Sequence, residues 1–131
     1  MSILVGSTNF LKVSGVNLNA SVQTTSFNTD AFVVHYMRGY AVEAIFTGTT
    51  TGTIKLQASN DPVIRDTNPA AGSAAPASTS WVDIPGTTFD LATGSPFLWN
   101  VVDPQYTFVR AVHTDTGGGD LTVTMRITIR G

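Results

Sequence analysis

The sequence predicts an all-β protein: an antiparallel two-sheet sandwich, jelly-roll or immunoglobulin-like, with roughly eight or nine short strands and little or no helix. Three observations predict it. Residues 121–130 alternate apolar and polar without a break, with Leu121, Val123, Met125, Ile127 and Ile129 on one side and Thr122, Thr124, Arg126, Thr128 and Arg130 on the other. A period of two is that of a half-buried strand, whereas a helix would scatter these apolar residues around its axis. Short apolar or alternating runs recur along the chain, separated by Gly, Pro, Asn and Asp, the punctuation of a sandwich. No convincing helix is visible, so nothing is available to cross over between parallel strands.

With 131 residues, the chain fits a single domain over 1–131 that buries a core without staples. Residues 1–9 hold Ile3, Leu4 and Val5 among small polar residues. They read as a first strand or as an N-terminal arm packing on a neighbour. Residues 10–14 read as a short strand stopped by Gly15, and residues 17–28 as a polar strand in which Leu18, Ala20 and Val22 alternate. Residues 31–37 are a continuous apolar run and are expected as a strand covered on both faces. His35 lies within that run and is expected as a core or cross-strand histidine. In residues 40–46, Tyr40, Val42, Ala44 and Phe46 share one face and Glu43 takes the other. A Gly/Thr stretch leads to residues 53–59, where Ile54, Leu56 and Ala58 point inward, so residues 40–59 read as a hairpin.

Asn60-Asp61-Pro62 ends that strand, since Pro lacks the ladder donor and Asn and Asp favour turns. Residues 66–80 include Asn68, Pro69 and Pro76 in a small, Pro-broken stretch without periodicity. This is expected as a long exposed loop, a kind that is usually functional or disordered, and it is the best local candidate for contact with a partner. Strands resume at 81–84, 88–91 and 97–102. Residues 106–113 and the closing strand, joined through Gly117-Gly118-Gly119-Asp120, read as a C-terminal hairpin. Its core partners are expected to be Ile54, Leu56, Val82 and Val109.

Composition narrows the function classes. Charged residues make up 12% of the chain, about half the usual quarter, and Thr, Ser, Asn and Gly fill the gap. Such a surface costs little to desolvate and favours broad protein contacts. Net charge is −2 and the seven basic residues are dispersed, which argues against nucleic-acid binding. No apolar stretch approaches the roughly 20 residues of a membrane span. The N-terminus lacks the basic and apolar regions of a secretory signal. Without cysteine there is no disulfide and no thiolate metal site.

No catalytic constellation is visible, so an enzyme is not expected and no cofactor is implied. His35 and His113 lack a metal-ligand spacing, and His113, at a strand end, is expected to be solvated. No serine sits in a Gly-x-Ser-x-Gly elbow. The aspartates fall mostly in turns, where Asx hydrogen bonds explain them. Asn60, Asp61 and Asp66 are near enough in sequence for a calcium site, but turn chemistry accounts for them first. Trp81, Trp99 and Tyr106 would suit a sugar platform, but each lies where core or interface packing explains it. Arg126 and Arg130 put positive charge on an otherwise neutral sheet face, where an acidic neighbour would dock.

The second half carries a resemblance. In order it reads Gly-Thr-Ile-Lys-Leu-Gln-Ala-Ser-Asn-Asp over 52–61, Trp-Val-Asp-Ile over 81–84, Phe-Leu-Trp-Asn-Val-Val over 97–102, Tyr-Thr-Phe-Val-Arg-Ala-Val over 106–112, then the Gly-rich turn and closing strand. It resembles small β-sandwich virion structural proteins of tailed bacteriophages, of the capsid decoration, cement or tail-associated type. The resemblance covers about residues 40–131. It departs from that pattern where Pro62 follows Asp61 and a long gap precedes Trp81. It implies a virion protein assembled in the host cytoplasm, without enzymatic activity, that stabilises the phage head as a decoration or cement subunit. Its partners would be the major capsid protein or other virion proteins, and it would be a homo-oligomer, with a trimer suiting a local threefold position. The residues expected at the partner interface are Ile3, Leu4, Val5, Asn68, Pro69, Pro76, Trp81, Arg126 and Arg130. The alternative is a tail or fibre component, or a carbohydrate-binding module recognising a host surface glycan.

Overall fold

A computed structural model describes residues 7–34, 37–60 and 80–130. Its strands are β1 (Ser7–Phe10), β2 (Lys12–Val13), β3 (Val16–Asn17), β4 (Ser21–Gln23), β5 (Phe27–Asn28), β6 (Phe32–Val33), β7 (Gly39–Gly48), β8 (Thr53–Ser59), β9 (Val82–Asp83), β10 (Phe89–Asp90), β11 (Phe97–Val102), β12 (Phe108–Thr114) and β13 (Leu121–Arg130). The excess over the expected eight or nine comes mainly from two-residue pieces. The helical content among the described residues is one 3-10 turn, Leu91–Thr93, capped by the Asp90 carboxylate on the Ala92 N–H.

Two antiparallel sheets form the sandwich. The five-stranded sheet has the order β1-β13-β7-β11, with β4 also on β13. In the six-stranded sheet β8 and β12 form the centre. β12 carries β5 and β6 on its other side, and β8 carries β10 and β9. The alternation of β13 and β7 sends Val123, Met125, Ile127, Val42, Ala44 and Phe46 inward, where each is at most 3% exposed. Ile54 and Leu56 of β8 and Val109 and Ala111 of β12 meet them in one core. A fully buried Val, Leu, Ile, Phe or Met contributes about 1.5–3 kcal/mol, and these four strands supply most of the core's side chains.

The two expected hairpins are not hairpins. β7 lies in the five-stranded sheet and β8 in the six-stranded one; β12 lies in the six-stranded sheet and β13 in the five-stranded one. Each connection is an arch that crosses the core, and the two arches lie side by side. The Thr49 N–H donates to the Asp120 carbonyl at 2.8 Å, and the Thr51 hydroxyl donates to the Asp115 carboxylate at 3.3 Å. Gly52, at φ 91°, comes so close that a Cβ would lie 1.9 Å from the Thr114 carbonyl oxygen. The reason is packing: β7 and β8 each present an apolar face, and an arch lets those faces meet across the core.

Other expectations change for local reasons. The apolar run 31–37 supplies a two-residue strand, Phe32 and Val33 opposite Val109 and Phe108 of β12. Ala31 and Val34 are buried and Phe32 and Val33 half-buried. His35 lies outside the described residues. Leu18, Ala20 and Val22 do not share a face: Leu18 is buried and Val22 is 58% exposed, because Ala20 turns left-handed at φ 52° between them. Val82 is not a core residue but is 68% exposed, since β9 is a marginal strand opposite Ala58. His113 is not solvated but buried. Phe27 packs on its ring at 5.2 Å between centroids, and Nδ1 lies 3.0 Å from the Thr53 carbonyl oxygen.

Candidate functional site

Three surfaces can be built from the sequence upward. The first is the end of the sandwich where β7 begins and β8, β11 and β13 end. Hydrogen bonds bind this rim: Arg38 N–H to the Arg130 carbonyl at 2.8 Å, Asp103 N–H to the Arg38 carbonyl at 2.7 Å, and Thr107 N–H to the Asn60 side-chain oxygen at 2.8 Å. Two open clefts of about 500 and 550 Å³ share Asn60, Gln105 and Tyr106. Tyr106 reaches inward to the Tyr40 hydroxyl at 2.6 Å, and burial pushes both phenols above their ordinary range.

The roots of both segments singled out in the sequence stand at this end. Ser7 is paired with Ile129, next to Arg130. Asn60 and Ser80, which flank residues 61–79, stand on the clefts. Ile3, Leu4, Val5, Asn68, Pro69 and Pro76 themselves lie outside the described residues, as do Asp61 and Asp66 of the calcium reading. Among the described residues no three His, Cys, Asp or Glu side chains converge as a metal site.

The second surface is the outer face of the six-stranded sheet. Register sets Arg110 opposite Gln57 and Gln57 opposite Asp83. Arg110 Nε donates to Gln57 Oε1 at 2.9 Å, and Gln57 Nε2 donates to Asp83 Oδ1 at 2.8 Å. Lys55 Nζ donates to Asp83 Oδ2 at 3.0 Å. The Gln57 amide and then the Lys55 ammonium hold the Asp83 carboxyl below its ordinary value, and burial lowers that of Arg110. The Arg110 guanidinium lies 4.4 Å from the centre of the Trp81 ring, a cation–π contact. Trp81 is half-buried against Phe108 and Ala31. Its Nε1 has no hydrogen-bond partner among the described residues.

The other two aromatics of the sugar-platform reading face elsewhere. Trp99 is 5% exposed and donates to the Thr87 carbonyl at 2.7 Å, with its ring tilted against Phe89 at 5.4 Å between centroids. Tyr106 is tied to Tyr40. Trp81 therefore does not share a platform with them. Sequence reasoning missed Gln57, Asp83 and Arg110 as a row. Each occupies an outward strand position, but nothing in the sequence says that β12, β8 and β9 are neighbours.

The third surface is the outer face of the five-stranded sheet. Arg126 pairs with Glu43 across β13 and β7, so the neutral face carries a dipole rather than a lone cation there. Arg130 is exposed at the end of the strand. Threonines 122, 124 and 128 fill the rest of β13 outward. Thr128 shares a 2.9 Å hydrogen bond with Thr8. Leu98 and Val102 of β11 stand out at 64% and 73% exposure.

No family model matches the chain, and none of the curated proteins matches it. Among solved structures it is similar to the SPBc2 prophage-derived protein YomS, at 15% identity over 98% of each chain with a TM-score of 0.54. It is also similar to the chitosan-binding module 1 of a chitosanase/glucanase from Paenibacillus sp. IK-5, at 10% identity over 94% of this chain and 92% of that one with a TM-score of 0.47. A third neighbour is a family 29 carbohydrate-binding module, at 10% identity, 96% and 89% coverage and a TM-score of 0.44. The end-to-end likeness to the prophage-derived protein shows that the sandwich as a whole is shared.

Proposed function

We propose that the chain is a non-enzymatic structural subunit of a bacteriophage particle, and specifically a decoration or cement subunit of the head. One observation carries this reading: the roots of the N-terminal segment and of residues 61–79 stand at one end of the sandwich, beside Arg38 and Arg130. In this reading the apolar Ile3, Leu4 and Val5 and the Pro-broken stretch with Asn68, Pro69 and Pro76 are the chain's contacts with the particle. Together they grip the seam between major capsid proteins, and the arches stand at the opposite end. A low charge fraction suits surface that is to be desolvated. The prophage origin of the protein that shares the fold end to end is in keeping with the setting. The experiment is co-sedimentation with phage heads that lack the subunit. Binding is expected from the full chain. It is expected to be lost on removing residues 1–6 or on replacing residues 66–79 with a short Gly/Ser linker, with the melting of the free protein unchanged. Full binding by both variants would overturn the reading.

A second reading rests on the row of planar polar groups Arg110, Gln57 and Asp83 beside an indole whose N–H is unpaired among the described residues. These are groups that recognise sugar hydroxyls, and a tail or fibre module would place them against a host glycan. Glycan-array binding abolished by Trp81→Ala with the fold intact would favour it over the first reading. Trp99→Ala would not test it, because that side chain is core.

A further inference from the structure

We propose that the outer face of the five-stranded sheet joins two copies of this chain, face to face, about a twofold axis parallel to the strands between β13 and β7. The inference rests on the sheet alone and stands whether or not the particle reading does. Directly opposite residues of antiparallel strands point to the same face. Across β1, β13, β7 and β11 one outward row therefore reads Phe10, Arg126, Glu43, Leu98. The next reads Thr8, Thr128, Ala41, Asn100.

An axis along the strands reverses each row over itself. It sets Arg126 of one copy over Glu43 of the other, twice, so that four charges alternate around the axis. It sets Leu98 over Phe10, apolar on apolar, and Asn100 over Thr8, amide on hydroxyl. At the sheet end the row is Arg130, Gly39, Val102. Reversal there drops Arg130 into the hollow above Gly39, an open cavity of about 490 Å³. Gly39 adds no side chain to that hollow, and a Cβ there would lie 2.7 Å from the Val101 carbonyl oxygen of β11. An axis across the strands through this row would instead stack Arg126 on Arg126 and Glu43 on Glu43, which like charge disfavours. A closed twofold interface must be self-complementary in this way.

The size is adequate. β13 and β7 have ten residues each, β11 six and β1 four, which at about 3.3 Å per residue and about 4.8 Å between strands make a flat footprint of roughly 480 Å² per copy. Side-chain relief brings this toward the ~600 Å² per partner at the lower end of standard interfaces. The low charge of the face lets it be desolvated, and the ion pair gives it a polarity that only the reversed copy matches.

Sedimentation velocity across the micromolar range tests this. The full chain is expected to be dimeric. Glu43→Arg and Arg126→Glu, made separately, each surround the axis with four like charges and are expected to be monomeric, with association at least about tenfold weaker. Mixed in equal amounts, the two variants are expected to recover the dimer, because each then meets its opposite. Loss of the pair within one chain would not be cured by mixing, so recovery reports the contact between copies. Leu98→Asp lies outside the ion pair and is also expected to be monomeric. If the charge variants fail to fold, it decides the matter alone. A monomeric wild type, a trimer, a dimer that survives Leu98→Asp, or folded charge variants that do not recover on mixing would each overturn the proposal.

Discussion

Asp30 organises the first thirty residues. It is buried, yet both carboxylate oxygens accept backbone hydrogens, from Ser14 at 3.0 Å and Gly15 at 2.8 Å. Its own N–H donates to the Lys12 carbonyl at 2.7 Å. It thereby pins the left-handed Ser14-Gly15 turn of the β2–β3 ribbon to the body. Asp30→Ala removes the acceptor and leaves two amides short, so it is expected to cost about 1–3 kcal/mol, read from urea midpoints. Burial raises the Asp30 pKa against those backbone bonds and Lys12, so its contribution falls as pH rises from about 3.9 through the raised value. Asp115 has the opposite sign. The Gly117 N–H first, then Gly118 and the Thr51 hydroxyl, hold its carboxyl low. That stability is complete above about pH 3.9 and is lost as pH falls through the lowered value. Asp115→Asn is therefore expected to flatten the acid limb of the stability curve, measured by urea unfolding between about pH 6 and pH 3. Little at this scale was legible beforehand. Turn chemistry explained aspartates as a class, but an acceptor sixteen residues from its donor follows from the tertiary fold. His113 was misjudged because the Phe27 ring that covers it comes from a strand with no contact implied by sequence.

Alternation specified the faces of the long strands and left their partners open. In β7, β8, β12 and β13 most inward residues expected from the pattern are buried, because a strand with one apolar row can satisfy it only against a core. A hairpin and an arch obey that rule equally well. In a hairpin the two apolar rows lie side by side, and in an arch they face each other. What separates the two is loop geometry, and the marks of it were the glycines. Gly52 has φ 91° with its missing Cβ directed at the Thr114 carbonyl, and Leu91 N–H donates to its carbonyl at 3.0 Å. Gly52→Ala meets both a left-handed backbone and a backbone atom. It is expected to destabilise the fold by more than about 1 kcal/mol, measured as a fall in urea midpoint. Gly86→Ala, at φ 78° with nothing within 4 Å of the added atom, is expected to cost less. If the two cost the same, the close approach of the arches is not what Gly52 is for. The short strands depart from pattern in the other direction. The apolar run 31–37 has the composition of a central strand, but β12 is already flanked by β5 along one half, so among the described residues of the run only Phe32 and Val33 pair with it.

For the whole molecule, the sequence pointed to an all-β sandwich because that class is set by pattern and punctuation. It said less about surfaces, because a surface is made by neighbours in space. By sequence Arg126 is a cation on a neutral face, and in the fold Glu43 of the same face pairs with it. A surface pair of this kind is worth only about 0.2–1 kcal/mol to its own chain, so its two residues stay available to a second copy. If two copies associate through this face, folding and association become linked. Binding to the native state alone stabilises it by mass action, so the unfolding midpoint must depend on protein concentration. Thermal melts of the full chain over a hundredfold range of concentration are therefore expected to shift upward as concentration rises. Leu98→Asp, exposed at 64% and outside the core, is expected to melt at one temperature throughout that range, close to the dilute limit of the unaltered chain. The same variant should leave the end of the sandwich untouched. Head binding that persisted in Leu98→Asp while the concentration dependence vanished would show that the particle contact does not need the contact between copies, although the two surfaces adjoin at Arg130.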